Sequence, residues 1–288
     1  MPASLPEQIP ALAADPALAA VAPEWVYPPP AGALRDQVIL VTGAGAGIGA
    51  AAAKTFAALG AHVILVGRTR ERLEAVFDWI SAHTATRPVI VPLDLARLSD
   101  EQAQALTTAI EDEYGTLHGV LHNASALGPK TPLAHYPSAT WREVFEVNVH
   151  APMVLTRHLQ PLLSGGEPTT VVFTSSSVGR LGRAYWGAYA ASKFATEGLM
   201  QIFADEIENI SAIRALSLNP GGTRTAMRAA AYPAEDPATV PPAEALMDRY
   251  AALFRPDLPV PRGAALSIRE PGDWQWLADA CAAEVSDP

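Results

Sequence analysis

The run Val38-Ile39-Leu40-Val41 passes directly into Thr42-Gly43-Ala44-Gly45-Ala46-Gly47-Ile48-Gly49 and then into an alanine-rich stretch of helical character. Four glycines in seven positions exceed what a structural turn requires. They permit a tight turn, let backbone N–H groups approach a pyrophosphate, and bring the next helix close to the strand with its N-terminus toward the anion. The spacing of Gly43, Gly47 and Gly49 is G-x-x-x-G-x-G, and the loop lacks the lysine of a nucleoside-triphosphate P-loop. ATP or GTP hydrolysis is therefore not expected.

After this loop, short apolar runs alternate with helical segments. The strands are read at Val38-Ile39-Leu40-Val41, His62-Val63-Ile64-Leu65-Val66, Val89-Ile90-Val91-Pro92-Leu93, Gly119-Val120-Leu121-His122, Val171-Val172-Phe173-Thr174 and residues 213–218, with a late run at 264–268. Helices are expected at about 48–59, 70–82, 101–114 and 141–163, and over the stretch carrying Tyr189 and Lys193. Ser99 with Gln102, and Thr140 with Glu143, are candidate capping pairs. Strands that are apolar throughout belong to a sheet covered on both faces. The fold class is therefore α/β, a doubly wound parallel sheet of about seven strands in a single domain, with its ligand at the carboxyl ends of the strands.

Three segments are expected: a Pro/Ala-rich arm at 1–34, a catalytic domain at 35–272 and a C-terminal helix or tail at 273–288. The arm reads as extended, with Trp25 and Tyr27 docking it on the domain or on a second subunit, or else as a disordered leader. Trp274 and Trp276 would pack the terminal helix on a subunit partner or on its own domain.

At 288 residues, with a net charge of −10, the chain can bury one large core and repels nucleic acid and anionic membranes. The single cysteine, Cys281, rules out an intramolecular disulfide and a cysteine metal cluster, and no apolar run reaches the ~18 residues of a membrane span. With no leader of secretory type, the cytoplasm is the expected location. The seven histidines show no dense ligand spacing, so no metal is expected.

Tyr189 and Lys193, one of only three lysines, lie four residues apart in Tyr189-Ala190-Ala191-Ser192-Lys193. On a helix they share a face, and a phenol beside an ammonium is a candidate acid/base. The glycine loop and this pair together resemble the short-chain dehydrogenase/reductase family, which has a Rossmann fold and carries T-G-x-x-x-G-x-G and Y-x-x-x-K. The match covers roughly residues 36–268. Residues 172–180, 186–197 and 219–228 are similar to the YciK-type oxidoreductase subgroup.

The resemblance implies hydride transfer between a nicotinamide cofactor and a carbonyl or secondary alcohol. Tyr189 would exchange the proton, Lys193 would lower its pKa and bond the nicotinamide ribose, and Ser176, thirteen residues before Tyr189, would polarise the carbonyl. Ser175 and Ser177 flank Ser176, so this assignment rests on register. Asn148 matches the family asparagine that holds a water in a proton relay. An asparagine inside an apolar helix also suits a buried polar duty. Cofactor contacts are expected from Gly43, Gly45, Gly47, Ile48, Gly49, Asn123, Pro220, Gly221 and Thr223, together with Tyr189 and Lys193. Asp94 with Leu95 would meet the adenine, or Asp94 would cap a loop. His122 and Ser125 depart from the family's N-N-A-G.

The strand at 62–66 is followed by Gly67-Arg68-Thr69-Arg70 with no carboxylate, and Arg68 stands where an arginine can clamp a 2′-phosphate. NADP(H) is favoured on this reading and NAD(H) is possible. Ala46 lacks the basic character of the family's other NADP marker, and Arg68, Arg70 and Arg72 also suit a solvated helix start. The stretch at 225–242 has loop composition and reads as a mobile substrate lid. Trp186, Met227 and Tyr232 line an apolar pocket or simply pack. A small-molecule carbonyl or alcohol substrate and a homodimer or homotetramer are expected. The alternatives are a non-catalytic nucleotide sensor or scaffold on the same fold, and an epimerase or dehydratase, whose loop is usually G-x-x-G-x-x-G.

Overall fold

Alternate residues of each central strand enter opposite apolar layers. Val38 and Leu40 belong to one buried cluster, and Ile39 and Val41 to the other. This is the arrangement that strands without a polar face demand. In the computed structural model, which describes residues 9–163 and 166–286, these strands form one parallel sheet in the order β3-β2-β1-β4-β5-β6-β7. The strands are β1 (Val38–Thr42), β2 (His62–Gly67), β3 (Val89–Pro92), β4 (Gly119–His122), β5 (Thr170–Thr174), β6 (Arg214–Asn219) and β7 (Ala265–Ser267). The strand order reverses between β1 and β4, which opens a crevice at their carboxyl ends.

The helices are α1 (Pro10–Ala13), α2 (Pro16–Val21), α3 (Gly47–Ala58), α4 (Arg70–His83), α5 (Asp100–Tyr114) and α6 (Ser138–Phe145). They continue with α7 (Ala151–Leu163), α8 (Gly187–Ile207), α9 (Ala226–Ala231), α10 (Met247–Phe254) and α11 (Gln275–Ser286). Helices α3, α4, α10 and α11 pack on one face of the sheet, and α5, α7 and α8 on the other. The expected capping box of Ser99 and Gln102 starts α5.

Several elements differ from the sequence expectation. The helix expected at 141–163 begins at Ser138 after Pro137, without a side-chain cap, and a π-helical turn at Glu146–His150 interrupts it. Such turns commonly mark functional positions. The expected loop at 225–242 contains α9, where the alanine-rich Ala226–Ala231 is capped by Thr225 accepting a hydrogen bond from the Arg228 N–H.

The N-terminal segment, expected to be extended, is instead folded into α1 and α2 and packed. Ile9, Leu12, Leu18 and Trp25 join the core of the α3 face. Trp25 Nε1 donates to the Glu244 carbonyl at 2.9 Å, and the N–H groups of Val26 and Tyr27 donate to Asp248 Oδ2 at 3.0 and 3.2 Å. Asp15 caps α2 and pairs with Lys54 at 2.8 Å. Alanine and leucine spaced between prolines allow single helical turns, and burial of the leucines holds them. Trp274 is buried on the same domain, its Nε1 donating to the Ser267 carbonyl at 3.0 Å. The first eight residues of the expected arm and the last two of the expected tail lie outside the described residues.

Candidate active site

Tyr189, Lys193 and Glu197 stand on successive turns of one face of α8, and all three are buried. The Lys193 ammonium donates to the Thr174 carbonyl, at the end of β5, at 2.7 Å and lies 5.7 Å from the centroid of the Tyr189 ring. Burial pushes the ammonium pKa down to about 8, opposed by the Glu197 charge. Burial also raises the Tyr189 phenol above its usual range, against a hydrogen bond from the Ser176 side chain. Burial is the larger influence on this phenol, and the Lys193 ammonium is bonded to the Thr174 carbonyl.

The three serines after β5 separate by environment. Ser175 is buried and donates to Glu197 Oε1 at 2.5 Å. Ser177 is exposed in a 3₁₀ turn. Ser176 lines the cavity beside Tyr189.

Glu197 was missed in the sequence. Besides Ser175 it accepts from Arg180 Nε at 2.9 Å and from Ser217 Oγ at 2.6 Å, and Arg180 reaches Ser267 Oγ and the Leu266 carbonyl. This network ties α8 to the turn after β5 and to β6 and β7, one turn along α8 from Lys193. The signal that would have found it is the i, i+4, i+8 spacing from Tyr189 through Lys193, which puts a carboxylate on a buried helix face.

Asn148 lies in the π-helical turn with its amide fully used. Oδ1 accepts from the Ala126 N–H at 2.7 Å and from Ser125 Oγ at 3.1 Å, while Nδ2 donates to the Ala126 carbonyl at 3.0 Å and to Ser192 Oγ at 2.9 Å. The side chain thus staples the β4 loop to α8, with no capacity left for a water. Ser125, which replaces the family's glycine, takes part in this staple. His122 ends β4, buried against Phe173, with Nε2 2.9 Å from Thr156 Oγ1. Burial lowers its pKa to about 3, so it is neutral. No group of three or more His, Cys, Asp or Glu able to hold a metal occurs among the described residues.

A cavity of about 380 Å³ at the carboxyl end of the sheet gathers most of the expected residues. Its lining includes Gly43, Gly47, Ile48 and Asn123 at the glycine loop, Ser176, Tyr189 and Lys193, and Pro220, Gly221 and Thr223 after β6. Gly47 has φ +54°, and a Cβ on Gly49 would be driven into the Gly43 carbonyl oxygen, so that only bare backbone closes the cradle. Asn123 Nδ2 donates to the Thr42 carbonyl at 3.1 Å and holds β4 against the loop. Gly45 packs on Arg72 instead of facing the cavity.

Arg68, Asp94 and Leu95 do not line this cavity. Arg68 is exposed, Leu95 is buried in the α5 layer, and the Asp94 carboxylate accepts from the Ala96 N–H at 3.2 Å as a cap. Arg72, in the first turn of α4, lines the cavity in place of Arg68. Trp186, Met227 and Tyr232 line it as well.

A parallel sheet with a glycine-built crevice, next to a buried tyrosine and lysine, defines a Rossmann-type oxidoreductase. The family model of the short chain dehydrogenases matches residues 37–236, and the chain belongs to that family. It is 48% identical over 231 residues to the uncharacterized oxidoreductase YciK of Escherichia coli K12, covering 80% of this chain and 91% of that one. A Shigella flexneri 2a protein solved in complex with NADP is 46% identical, with a TM-score of 0.80 over 83% of this chain and 99% of that one. An Escherichia coli CFT073 protein solved with NADPH is 45% identical, with a TM-score of 0.79 over 83% of this chain and 100% of that one.

Proposed function

We propose that the chain is an NADP(H)-dependent oxidoreductase interconverting a carbonyl compound and a secondary alcohol, with Tyr189 as the proton donor and acceptor. The observation that carries this reading is the convergence of Ser176, Tyr189 and Lys193 on the cavity that the glycine loop closes. The NADP and NADPH complexes of the two relatives support the choice of cofactor.

The bare backbone of the Gly43–Gly49 loop fits a pyrophosphate, since a side chain at Gly49 would fill the space. Gly43, Gly47 and Ile48 would hold the phosphates, with Gly45 and Gly49 shaping the loop. Asn123, Pro220, Gly221 and Thr223 would flank the nicotinamide half. We assign the 2′-phosphate to Arg72 on the cavity wall with the exposed Arg68 after β2, and the adenine edge to Asp94 and Leu95 after β3.

When bound, the nicotinamide supplies or accepts the hydride. Tyr189 gives its phenolic proton to the substrate oxygen in reduction and removes it in oxidation. Ser176, which lines the cavity with Tyr189, donates to the same oxygen and stabilises the charge that develops there. Lys193 is positively charged below about pH 8, and its charge favours the phenolate while Tyr189 is deprotonated. Asn148 positions this set by fixing the β4 loop to α8. A relay water would be held by its backbone carbonyl, which also accepts from Thr196 Oγ1.

Homo-oligomerisation is proposed through an apolar groove where Leu133, Tyr185 and Phe194 are exposed. Cytoplasmic residence remains the proposed location. No helix among the described residues is long and apolar enough to cross a membrane.

The test is fluorescence titration with NADPH and with NADH at fixed ionic strength. A preference for NADPH of about tenfold or more is expected. Preference for NADH would remove the two arginines from the reading, and binding of neither would leave a scaffold on the same fold.

A further inference from the structure

The Tyr189 end of the cavity differs from the rest of its wall. Leu127, Trp186 and Met227 pack there against the small cluster of Val178, Tyr189 and Ala190. Tyr232 extends the aromatic wall, its ring centroid 5.8 Å from that of Trp186, which in turn lies 5.7 Å from Tyr189. Offset and tilted rings at these separations leave faces and edges to which another ring can add.

The charges near this wall are already engaged. Lys130 Nζ lies 4.7 Å over the Trp186 ring and 4.4 Å over the Tyr232 ring, and donates to the Ala231 carbonyl at 2.9 Å. The Arg228 guanidinium lies 3.8 Å from the centroid of the Tyr232 ring and is held by both oxygens of Glu235, at 2.6 and 2.5 Å. Lys193 is committed to the Thr174 carbonyl at 2.7 Å. Arg72 lines the cavity on the glycine-loop side, beside Gly45. No carboxylate is among the lining residues that are described.

A substrate carboxylate placed at this end would lose its hydration without gaining a free cation, and a substrate ammonium would find no carboxylate and ring faces that Lys130 and Arg228 already occupy. We propose that the substrate is a small uncharged ketone whose carbonyl adjoins a ring, or the corresponding secondary alcohol, with the ring seated among Trp186, Met227 and Tyr232. This rests on the reading of Ser176, Tyr189 and Lys193 given above. The cavity of about 380 Å³ is shared with the nicotinamide end of the cofactor, which favours a single ring over a fused system.

In reduction, the carbonyl carbon gains a C–H bond from the hydride of NADPH, and the electron pair of the broken C=O π bond takes the Tyr189 proton. The alcohol and NADP⁺ leave, and a solvent proton restores the phenol. Trp186 and Tyr232 set specificity for the ring and take no part in the proton transfer.

The experiment measures NADPH binding by fluorescence and NADPH consumption with three matched ketones: acetophenone, its para-carboxylate and its para-trimethylammonium analogue. Acetophenone is expected to show kcat/KM about tenfold or more above both charged analogues. Trp186→Ala should raise its KM about tenfold while leaving the NADPH Kd unchanged, and Trp186→Phe, which keeps a ring, should restore most of the loss. Equal or faster turnover of a charged analogue overturns the substrate class and leaves the catalytic reading standing. Turnover of none of the three, with NADPH bound, but reduction of an acyclic ketone such as 2-butanone also overturns only the substrate class. Turnover of no ketone at all with NADPH bound overturns both.

Discussion

Lys193 is a lysine with almost no water around it, and its protonation is linked to the fold. Its pKa falls to about 8 from the ordinary 10.5. Between these values the unfolded chain binds a proton that the folded chain does not, so this residue makes stability rise with pH across that window. The stability of the wild type relative to Lys193→Met should therefore increase from about pH 7.5 to about pH 9.5, read as the shift in urea midpoint. A flat difference would mean that the ammonium is not depressed. Tyr189→Phe should keep NADPH affinity and slow turnover by ~100- to 10,000-fold, and full activity in that variant would end the role given to the phenol. The spacing of Tyr189 and Lys193 was legible because a helix converts a four-residue interval into a shared face. Glu197 was not read, because its partners Ser175, Arg180 and Ser217 come from the turn between β5 and α8 and from β6. The same holds for Arg72, which enters the cavity through the direction in which α4 leaves β2.

At the scale of elements, the loop between β1 and α3 is the most constrained segment. A methyl group at Gly49 would collide with the Gly43 carbonyl oxygen and crowd Asn123. Gly49→Ala should therefore raise the NADPH Kd by about tenfold or more. Gly198→Ala in the interior of α8, where nothing lies within 4 Å of an added Cβ, should leave binding unchanged and add about 0.5–1 kcal/mol of stability. Equal effects at the two positions, by titration and urea denaturation, would show that the cradle does not depend on bare backbone. The strands were legible because buried parallel strands are apolar at every position. The interruption of the long helix was not: residues 146–150 read as ordinary helix, and what opens the turn is the four-bond commitment of Asn148 to residues 125, 126 and 192. The helical N-terminal segment was hidden by prolines that start helices as readily as they break them.

For the whole molecule, the apolar groove beside α8 is the surface to test. Leu133 is 71% exposed, Tyr185 57% and Phe194 46%, and these large apolar side chains line one groove with Trp141. Phe194→Glu combined with Tyr185→Glu should reduce the mass seen by light scattering to the 30.3 kDa of one chain, while the thermal midpoint of the isolated chain changes little. An unchanged mass would place any oligomer contact elsewhere. The docking of the N-terminal segment has a further consequence for synthesis. The backbone of Val26 and Tyr27 is held by Asp248, and Trp25 by the Glu244 carbonyl. More than two hundred residues must leave the ribosome before those partners exist. The segment made first is thus among the last to be covered, and a chain halted before residue 244 carries an uncovered tryptophan through the whole of its elongation.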